Sequence, residues 1–129
     1  YTLSLHDALP ILFQYDAPSA RQVNLAGNFP DNEMDTISNL QITKTIENVI
    51  TDFKPSVVYT TPQFDVNVDH QSLFHATMTA TRPRKNYNVK QVISFEVLSS
   101  TEWFFPNRFT PNIFSDITKE LTSKIKANS

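Results

Sequence analysis

Apolar residues recur every three or four positions between residues 40 and 53, with Ile42, Ile46 and Ile50 at the centre of the series. This spacing places them on one side of an α-helix, so the segment predicts an amphipathic helix with one buried face. Ser38 precedes the series and is a suitable N-cap, because its hydroxyl can accept a hydrogen bond from a first-turn amide. The helix is expected to end just before Pro55.

Three short runs have the alternating or β-branched character of strands: Gln22–Ala26, Ser56–Thr60 and Gln91–Val97. A second helix is predicted between the last two, from about residue 69 to residue 81. Strands that alternate with helices are typical of βαβ units on a mostly parallel sheet with flanking helices, so the pattern predicts an α/β fold. The first strand would lie at a sheet edge unless an earlier part of the domain pairs with it.

The C-terminal third is less regular. Leu98–Thr110 is predicted to be an irregular aromatic loop, and Asn112–Ile117 a further strand. Lys119–Asn128 is predicted to form a final helix, capped by Thr118 or Asp116.

The N-terminus differs from the rest of the chain. Residues 1–11 contain SLHDALPI, which is similar to a peptide produced when sequencing-adapter DNA is translated in frame with a gene. We therefore expect residues 1–11 to be a non-native leader and residues 12–129 to be the central and C-terminal part of a single domain. Leu12–Ala20 is then interpreted as the remnant of an upstream element, a helix cut short.

Composition narrows the class of protein. The 129 residues are 40% hydrophobic and 19% charged, which is ordinary for one globular domain. A net charge of -2 gives no electrostatic reason to expect nucleic acid or an acidic membrane as a partner. No apolar run is long enough to span a bilayer. The chain has no cysteine, which is compatible with a reducing, cytoplasmic location, and its single glycine excludes Gly-rich phosphate loops.

A polar loop between Ser56–Thr60 and the second helix holds Asp65, Asn67, Asp69 and His70. Loops at the ends of strands in α/β sheets commonly carry binding and catalytic residues. A neutral histidine beside carboxylates is a suitable ligand for a divalent metal ion. The alternative is that Asp69 is only the helix N-cap and His70 an exposed first-turn residue, and spacing alone favours this alternative.

His75 does not complete a metal site. A zinc site needs three protein ligands, and the loop supplies one histidine, His70. Five residues along a helix correspond to about 140° around its axis, so the two rings cannot close on one ion. We expect His75 to be a partly buried helix residue. The sequence also lacks a GxSxG nucleophile motif.

Several segments together resemble the PIG-L/LmbE family of zinc-dependent N-acetylglucosaminyl deacetylases. They occur in the family's order and are GNFPDNEMDT (27–36), KPSVVYT (54–60), DVNVDH (65–70), ATRP (80–83), FEVLSSTEW (95–103) and FTPNIFSDIT (109–118). Within the family, FEVLSSTEW and DVNVDH are most similar to the bacterial branch that includes bacillithiol-pathway enzymes. The resemblance implies a partial Rossmann-like fold and hydrolysis of the N-acetyl group of a small-molecule N-acetylglucosamine (GlcNAc) conjugate.

The resemblance also implies roles for individual residues. His70 matches the third zinc ligand, and Asp69 matches an aspartate that orients a neighbouring polar group. Asn67 stands where some members have a second histidine, and its amide can donate to an oxyanion but cannot shuttle a proton. Asp31 and Asn32 match a loop that the family places near the sugar.

The largest departure from the family is the absence of its HPDD-type motif, which supplies the other two zinc ligands and the general base. We therefore expect a truncated deacetylase domain that binds zinc weakly and is inactive by itself. Two alternatives remain: a non-catalytic α/β module that binds a sugar or nucleotide, and a structural or regulatory homologue that has lost its catalytic front.

Overall fold

The computed structural model of the chain describes residues 10–14, 20–24 and 29–127. These residues form four strands, three α-helices and two short 3-10 turns. In chain order the strands and helices are β1 (Pro10–Gln14), β2 (Ala20–Asn24), α1 (Asn39–Phe53), β3 (Val57–Thr60), α2 (Val68–Ala80), β4 (Gln91–Ser94) and α3 (Leu121–Ala127). The 3-10 turns are Met34–Thr36 and Thr101–Trp103.

The four strands form one mixed sheet in the order β2-β1-β3-β4. Strands β3 and β4 are parallel, with Thr60 opposite Ser94, and α2 connects them as a βαβ unit. Strand β1 is antiparallel to both of its neighbours. The α/β class is therefore confirmed, while the parallel arrangement expected for most of the sheet applies to β3 and β4 and not to the N-terminal hairpin.

The N-terminal hairpin differs from the sequence-based expectation. Strand β1 includes Pro10 and Ile11, which were assigned to the leader, and its remaining residues are a strand where a helical remnant was expected. Pairing with β1 leaves β2 at the edge of the sheet. Strand β1 is therefore the earlier segment that pairs with β2, the first strand predicted from the sequence.

Helix α1 forms as its sequence predicts. The Ser38 hydroxyl accepts a hydrogen bond from the Gln41 amide, and the helix ends at Lys54, a left-handed C-cap residue with φ 50° and ψ 51°. Ile42, Ile46 and Ile50 are each at most 1% exposed, which confirms the predicted buried face.

The hydrophobic core lies where α1 and α2 pack against each other. Leu73, Ala76 and Ala80 of α2 are fully buried in the same cluster as the isoleucines of α1, Val58 of β3, and Met34. Because this packing fixes the position of α2, it also fixes the first turn of that helix beyond the end of β3. The residues of that turn are therefore held on a rigid element.

One buried carboxylate joins α1 to the chain after α2. Glu47 is 6% exposed, and its oxygens lie 2.8 Å from Lys44 Nζ, 3.3 Å from Arg82 Nη1 and 2.6 Å from Arg84 Nη2. The hydrogen bond from Lys44, together with the charges of Arg84 and Lys44, outweighs burial and lowers the pKa of Glu47. Arg82 and Arg84, which follow α2, are thus partners of this carboxylate.

The C-terminal segment is largely exposed. No described strand pairs with Asn112–Ile117, so the strand predicted there is absent. The segment contains apolar residues, but a strand forms only where a neighbouring strand offers hydrogen bonds. The final helix spans Leu121–Ala127, two residues later than predicted at its start. Within the described residues, no helix combines the length and the apolar character needed to cross a membrane.

Candidate functional site

A buried carboxylate and a histidine face each other in the loop and first helical turn that follow β3. The Asp65 side chain is fully buried, and its Oδ2 lies 3.1 Å from Nδ1 of His70, whose side chain is 13% exposed. Ser100 Oγ is also 3.4 Å from the same ring nitrogen. The His70 ring thus contacts the protein through its Nδ1 side.

Asp65 collects further donors from two segments of the chain. Its Oδ2 accepts hydrogen bonds of 3.0 Å from the hydroxyls of Ser100 and Thr101, and its Oδ1 accepts one of 2.8 Å from the Asn67 amide. Because β3 and β4 are parallel neighbours, the segments that follow them meet at one edge of the sheet. Asp65 therefore holds these two segments together at that edge.

The carboxylate bears on which nitrogen of His70 carries a proton. A carboxylate without a proton only accepts hydrogen bonds, so its contact with Nδ1 favours the tautomer with the proton on that nitrogen. In that tautomer the lone pair of the neutral ring is on Nε2. A histidine held by a carboxylate through one nitrogen is the arrangement typical of metal-binding histidines, because it fixes the tautomer and the ring orientation.

Asn67, and not Asp69, is the N-cap of α2. Its Oδ1 accepts hydrogen bonds of 2.8 Å from the Asp69 amide and 3.4 Å from the His70 amide. The alternative interpretation, with Asp69 as the cap and His70 as an exposed residue, is therefore wrong on both points. The cap fixes the backbone of the turn that carries His70.

The Asp69 carboxylate joins the turn to the loop that precedes α1. Asp69 is 1% exposed, and its two oxygens accept the Asn32 amide at 2.7 Å and the Met34 amide at 2.9 Å. Asn32 has φ 56°, a left-handed conformation that asparagine tolerates better than most residues. The predicted sugar loop, with exposed Asp31 and Asn32, is thus attached directly to the first turn of α2.

A comparison with protein families shows which family the chain belongs to. The family model PIG-L, GlcNAc-PI de-N-acetylase, matches residues 11–81, a span that contains β1 apart from Pro10, and also β2, α1, β3, the Asp65–His70 loop and α2. The chain belongs to the PIG-L family. Neither the curated proteins nor the solved structures contain a match to it. PIG-L membership implies a deacetylase-type hydrolase, and the family is generally metal-dependent.

The described residues of this PIG-L chain include one side chain suited to be a metal ligand, and not a complete set of ligands. That side chain is His70, because Asp65 Oδ2 lies 3.1 Å from its Nδ1 and leaves Nε2 as the nitrogen suited to a metal ion. Among the described residues, no group of three or more histidine, aspartate or glutamate side chains could hold a metal ion. His75 is exposed, contrary to expectation, and lines a separate cavity of about 190 Å³ together with Ile37 and Gln71.

Sequence reasoning missed the Asp65–His70 contact and the partners of Asp65. Asp65 was noted only as a polar loop residue, and Ser100 and Thr101 lie 35 and 36 positions further along the chain. The PIG-L match also ends at Thr81, before these two hydroxyls. The available signal was the hydroxyl-rich run Ser99-Ser100-Thr101 immediately after a predicted strand, because parallel strands bring such runs to the same edge.

Proposed function

We propose that this chain is part of a zinc-dependent deacetylase that removes the N-acetyl group from a small-molecule GlcNAc conjugate. One observation carries the proposal. The buried Asp65 carboxylate is 3.1 Å from Nδ1 of His70, at the edge of the sheet where the strand-end loops meet. That contact leaves Nε2 as the nitrogen suited to a metal ion.

In this proposal His70 is a zinc ligand through Nε2, and Asp65 positions its ring. A bound zinc ion would polarise the amide carbonyl and acidify a water molecule. Asn67 caps α2 with its Oδ1, so its NH₂ group is the part that donates to a developing oxyanion. Asp69 orients the loop through the Asn32 amide, which brings Asp31 and Asn32 toward the sugar.

We also propose that the remaining ligands and the general base belong to a part of the domain that this sequence does not contain, because it has no HPDD-type motif. The chain from Pro10, where β1 begins, would then be the central and C-terminal part of a deacetylase domain. A single imidazole holds zinc weakly, so this chain is expected to bind the ion with low affinity and to release no acetate. Robust release of acetate from GlcNAc conjugates by this chain would contradict this part of the proposal.

The family match favours the deacetylase over a sugar- or nucleotide-binding module. The two functions differ in where the acetamide lies. A deacetylase must bring the acetyl group of the sugar to the metal, whereas a binding module has no need to do so. Cobalt(II), which takes the same nitrogen ligands as zinc and is paramagnetic, therefore separates them.

The first experiment measures the ring nitrogens of His70 and His75 by ¹⁵N NMR of the full chain. We expect His70 to be the Nδ1–H tautomer, and added Zn²⁺ to shift its Nε2 resonance. Asp65→Asn should weaken zinc binding about 10- to 100-fold, the usual effect of losing a carboxylate behind a metal-binding histidine. His70→Ala should abolish it.

His75→Ala is the matched control, because His75 lies on the same helix and is exposed. It should leave zinc binding unchanged. The second experiment adds cobalt(II) and N-acetylglucosamine and measures proton relaxation of the sugar. Faster relaxation of the acetyl methyl than of the anomeric proton, lost in His70→Ala, is expected of a deacetylase. Unchanged zinc binding in His70→Ala, or relaxation independent of His70, would refute the proposal.

A further inference from the structure

The turn that follows β4 presents two hydroxyls to the buried carboxylate beside His70. Its backbone is closed on one residue, because the amides of Ser100 and Thr101 donate to the Val97 carbonyl at 3.0 and 2.9 Å. All three residues are buried. The turn is therefore a fixed support for the site, and it lies outside the span that the PIG-L family model matches.

The Thr101 hydroxyl has a defined direction. Its Oγ1 accepts the Val97 amide at 2.8 Å and donates to Asp65 Oδ2 at 3.0 Å. A hydroxyl has one proton and two lone pairs. Because the amide occupies a lone pair, the proton of Thr101 is left to point at the carboxylate. The backbone of the turn thus directs one donor onto Asp65.

The Ser100 hydroxyl contacts both the carboxylate and the imidazole. Its Oγ is 3.0 Å from Asp65 Oδ2 and 3.4 Å from His70 Nδ1, and those two atoms are 3.1 Å apart. The single hydroxyl proton can go to only one of them. When it goes to Asp65, a lone pair of Oγ is left for Nδ1, which favours a proton on that ring nitrogen. When it goes to Nδ1, the lone pair of that nitrogen also faces the carboxylate, which is unfavourable.

These contacts form one directed series of hydrogen bonds. It runs from the Val97 amide through Thr101 to Asp65, where Ser100 adds a second hydroxyl. Hydrogen bonds joined in one network strengthen one another. The tautomer of a histidine is set by the hydrogen bond that its other nitrogen makes. The series therefore favours a proton on Nδ1 of His70 and the lone pair on Nε2.

We propose that Ser100 and Thr101 are positioning residues for the metal ligand. Their hydroxyls orient Asp65 and so maintain the tautomer of His70 that offers Nε2 to a metal ion. The proposal rests on the proposed function, in which His70 is a zinc ligand. Both residues act on the Nδ1 side of the ring, through Asp65. The turn after β4 therefore contributes to zinc affinity without supplying a ligand.

The test measures two properties of the full chain by ¹⁵N NMR. They are the fraction of neutral His70 with its proton on Nε2, recorded without metal, and the dissociation constant for Zn²⁺, from the shift of the Nε2 resonance. Thr101→Val keeps the shape of the side chain and removes its hydroxyl, and Ser100→Ala removes the other hydroxyl. Each should raise the Nε2–H fraction at least about threefold and weaken zinc binding about three- to tenfold. The effect is smaller than that of Asp65→Asn because the second hydroxyl still donates.

Three further variants separate a positioning role from a general loss of structure. Thr101→Ser keeps a hydroxyl, so both properties should stay within about twofold of the wild type. Ser99→Ala is the matched control, because Ser99 is the exposed neighbour of Ser100, and it should change neither property. In an Asp65→Asn background, Ser100→Ala should alter zinc affinity by less than about twofold, because its effect passes through the carboxylate. Ser100→Ala leaves the bond from Thr101 in place, so it remains a test if Thr101→Val does not fold.

Lower thermal stability with an unchanged tautomer and unchanged zinc affinity would overturn the proposal, because the hydroxyls would then only hold the two loops together. An undiminished effect of Ser100→Ala in the Asp65→Asn background would overturn it as well, since Ser100 would then act independently of Asp65. Neither result bears on zinc binding by His70 itself. If His70→Ala leaves zinc binding unchanged, the proposed function fails, while the tautomer recorded without metal still decides whether the two hydroxyls orient the ring.

Discussion

Replacing Asp69 by alanine tests how the loop before α1 is held. The side chain is 1% exposed and its two oxygens accept the amides of Asn32 and Met34 at 2.7 and 2.9 Å. Alanine removes both acceptors. The Met34 amide is then buried without a partner, whereas the Asn32 amide belongs to an exposed residue and can turn to water.

The expected cost follows from these two environments. A hydrogen bond to a charged group contributes about 1.5–3 kcal/mol when its loss leaves a buried donor unpaired. We assign about 2 kcal/mol to Met34 and about 1 kcal/mol to Asn32 on that scale. Removal of a buried charge relieves some desolvation, which offsets part of this cost. The free energy of unfolding should therefore fall by about 2–3 kcal/mol.

Asp69→Asn should cost less, about 1–2 kcal/mol, because one carbonyl oxygen remains to accept an amide. Asp35→Ala is the control, since Asp35 is an exposed acid of the same loop, and it should change stability by less than about 0.5 kcal/mol. Urea unfolding followed by circular dichroism measures the change. Amide hydrogen exchange should quicken at Met34 more than at any helix position.

The reasoning would be refuted if Asp69→Ala unfolded with the same free energy as Asp35→Ala. It would also be refuted if exchange at the Met34 amide did not change, because that would show the carboxylate to be dispensable for holding the loop.

Two further predictions concern α1. The pKa of Glu47 is lowered below its ordinary value of 4.5, mainly by the Lys44 hydrogen bond, so its contribution to stability is present above pH 4.5 and is lost as the pH falls through the lowered value. Urea unfolding from pH 7 to pH 3 should thus show a steeper loss of stability in the wild type than in Glu47→Gln, and parallel curves would contradict this. Lys54 has φ 50°, a conformation that glycine adopts without steric cost, so Lys54→Gly should raise stability by up to about 1 kcal/mol in thermal unfolding. Lys44→Gly, inside the same helix, should instead lower it by about 1 kcal/mol, and a loss in both variants would show that the left-handed conformation carries no strain.

Local sequence determines the elements that were predicted correctly. The apolar spacing of α1 and its Ser38 cap act within one helix, so they can be identified without knowing the rest of the fold. The β-branched run at β3 and the segment at β4 are short, but each is bounded by polar or proline-containing stretches. These signals were sufficient to predict the α/β class.

The site could be predicted only in part, because its geometry depends on contacts between distant segments. Asn67 and Asp69 are equally suitable helix caps by residue type. Asp69 is not the cap, because its oxygens accept hydrogen bonds from the amides of Asn32 and Met34. These two residues lie more than thirty positions earlier in the chain. Likewise, the partners of Asp65 lie 35 and 36 positions later. Nothing in the local sequence specifies these pairings.

Asp65 receives its donors from both sides of the sheet edge, and this arrangement makes the two loops move as one. If the turn at Ser100 and Thr101 shifted, the carboxylate would lose two of its bonds and its hold on the His70 ring would change at the same moment. The orientation of the imidazole therefore depends, through a single side chain, on a turn that lies 30 positions further along the chain.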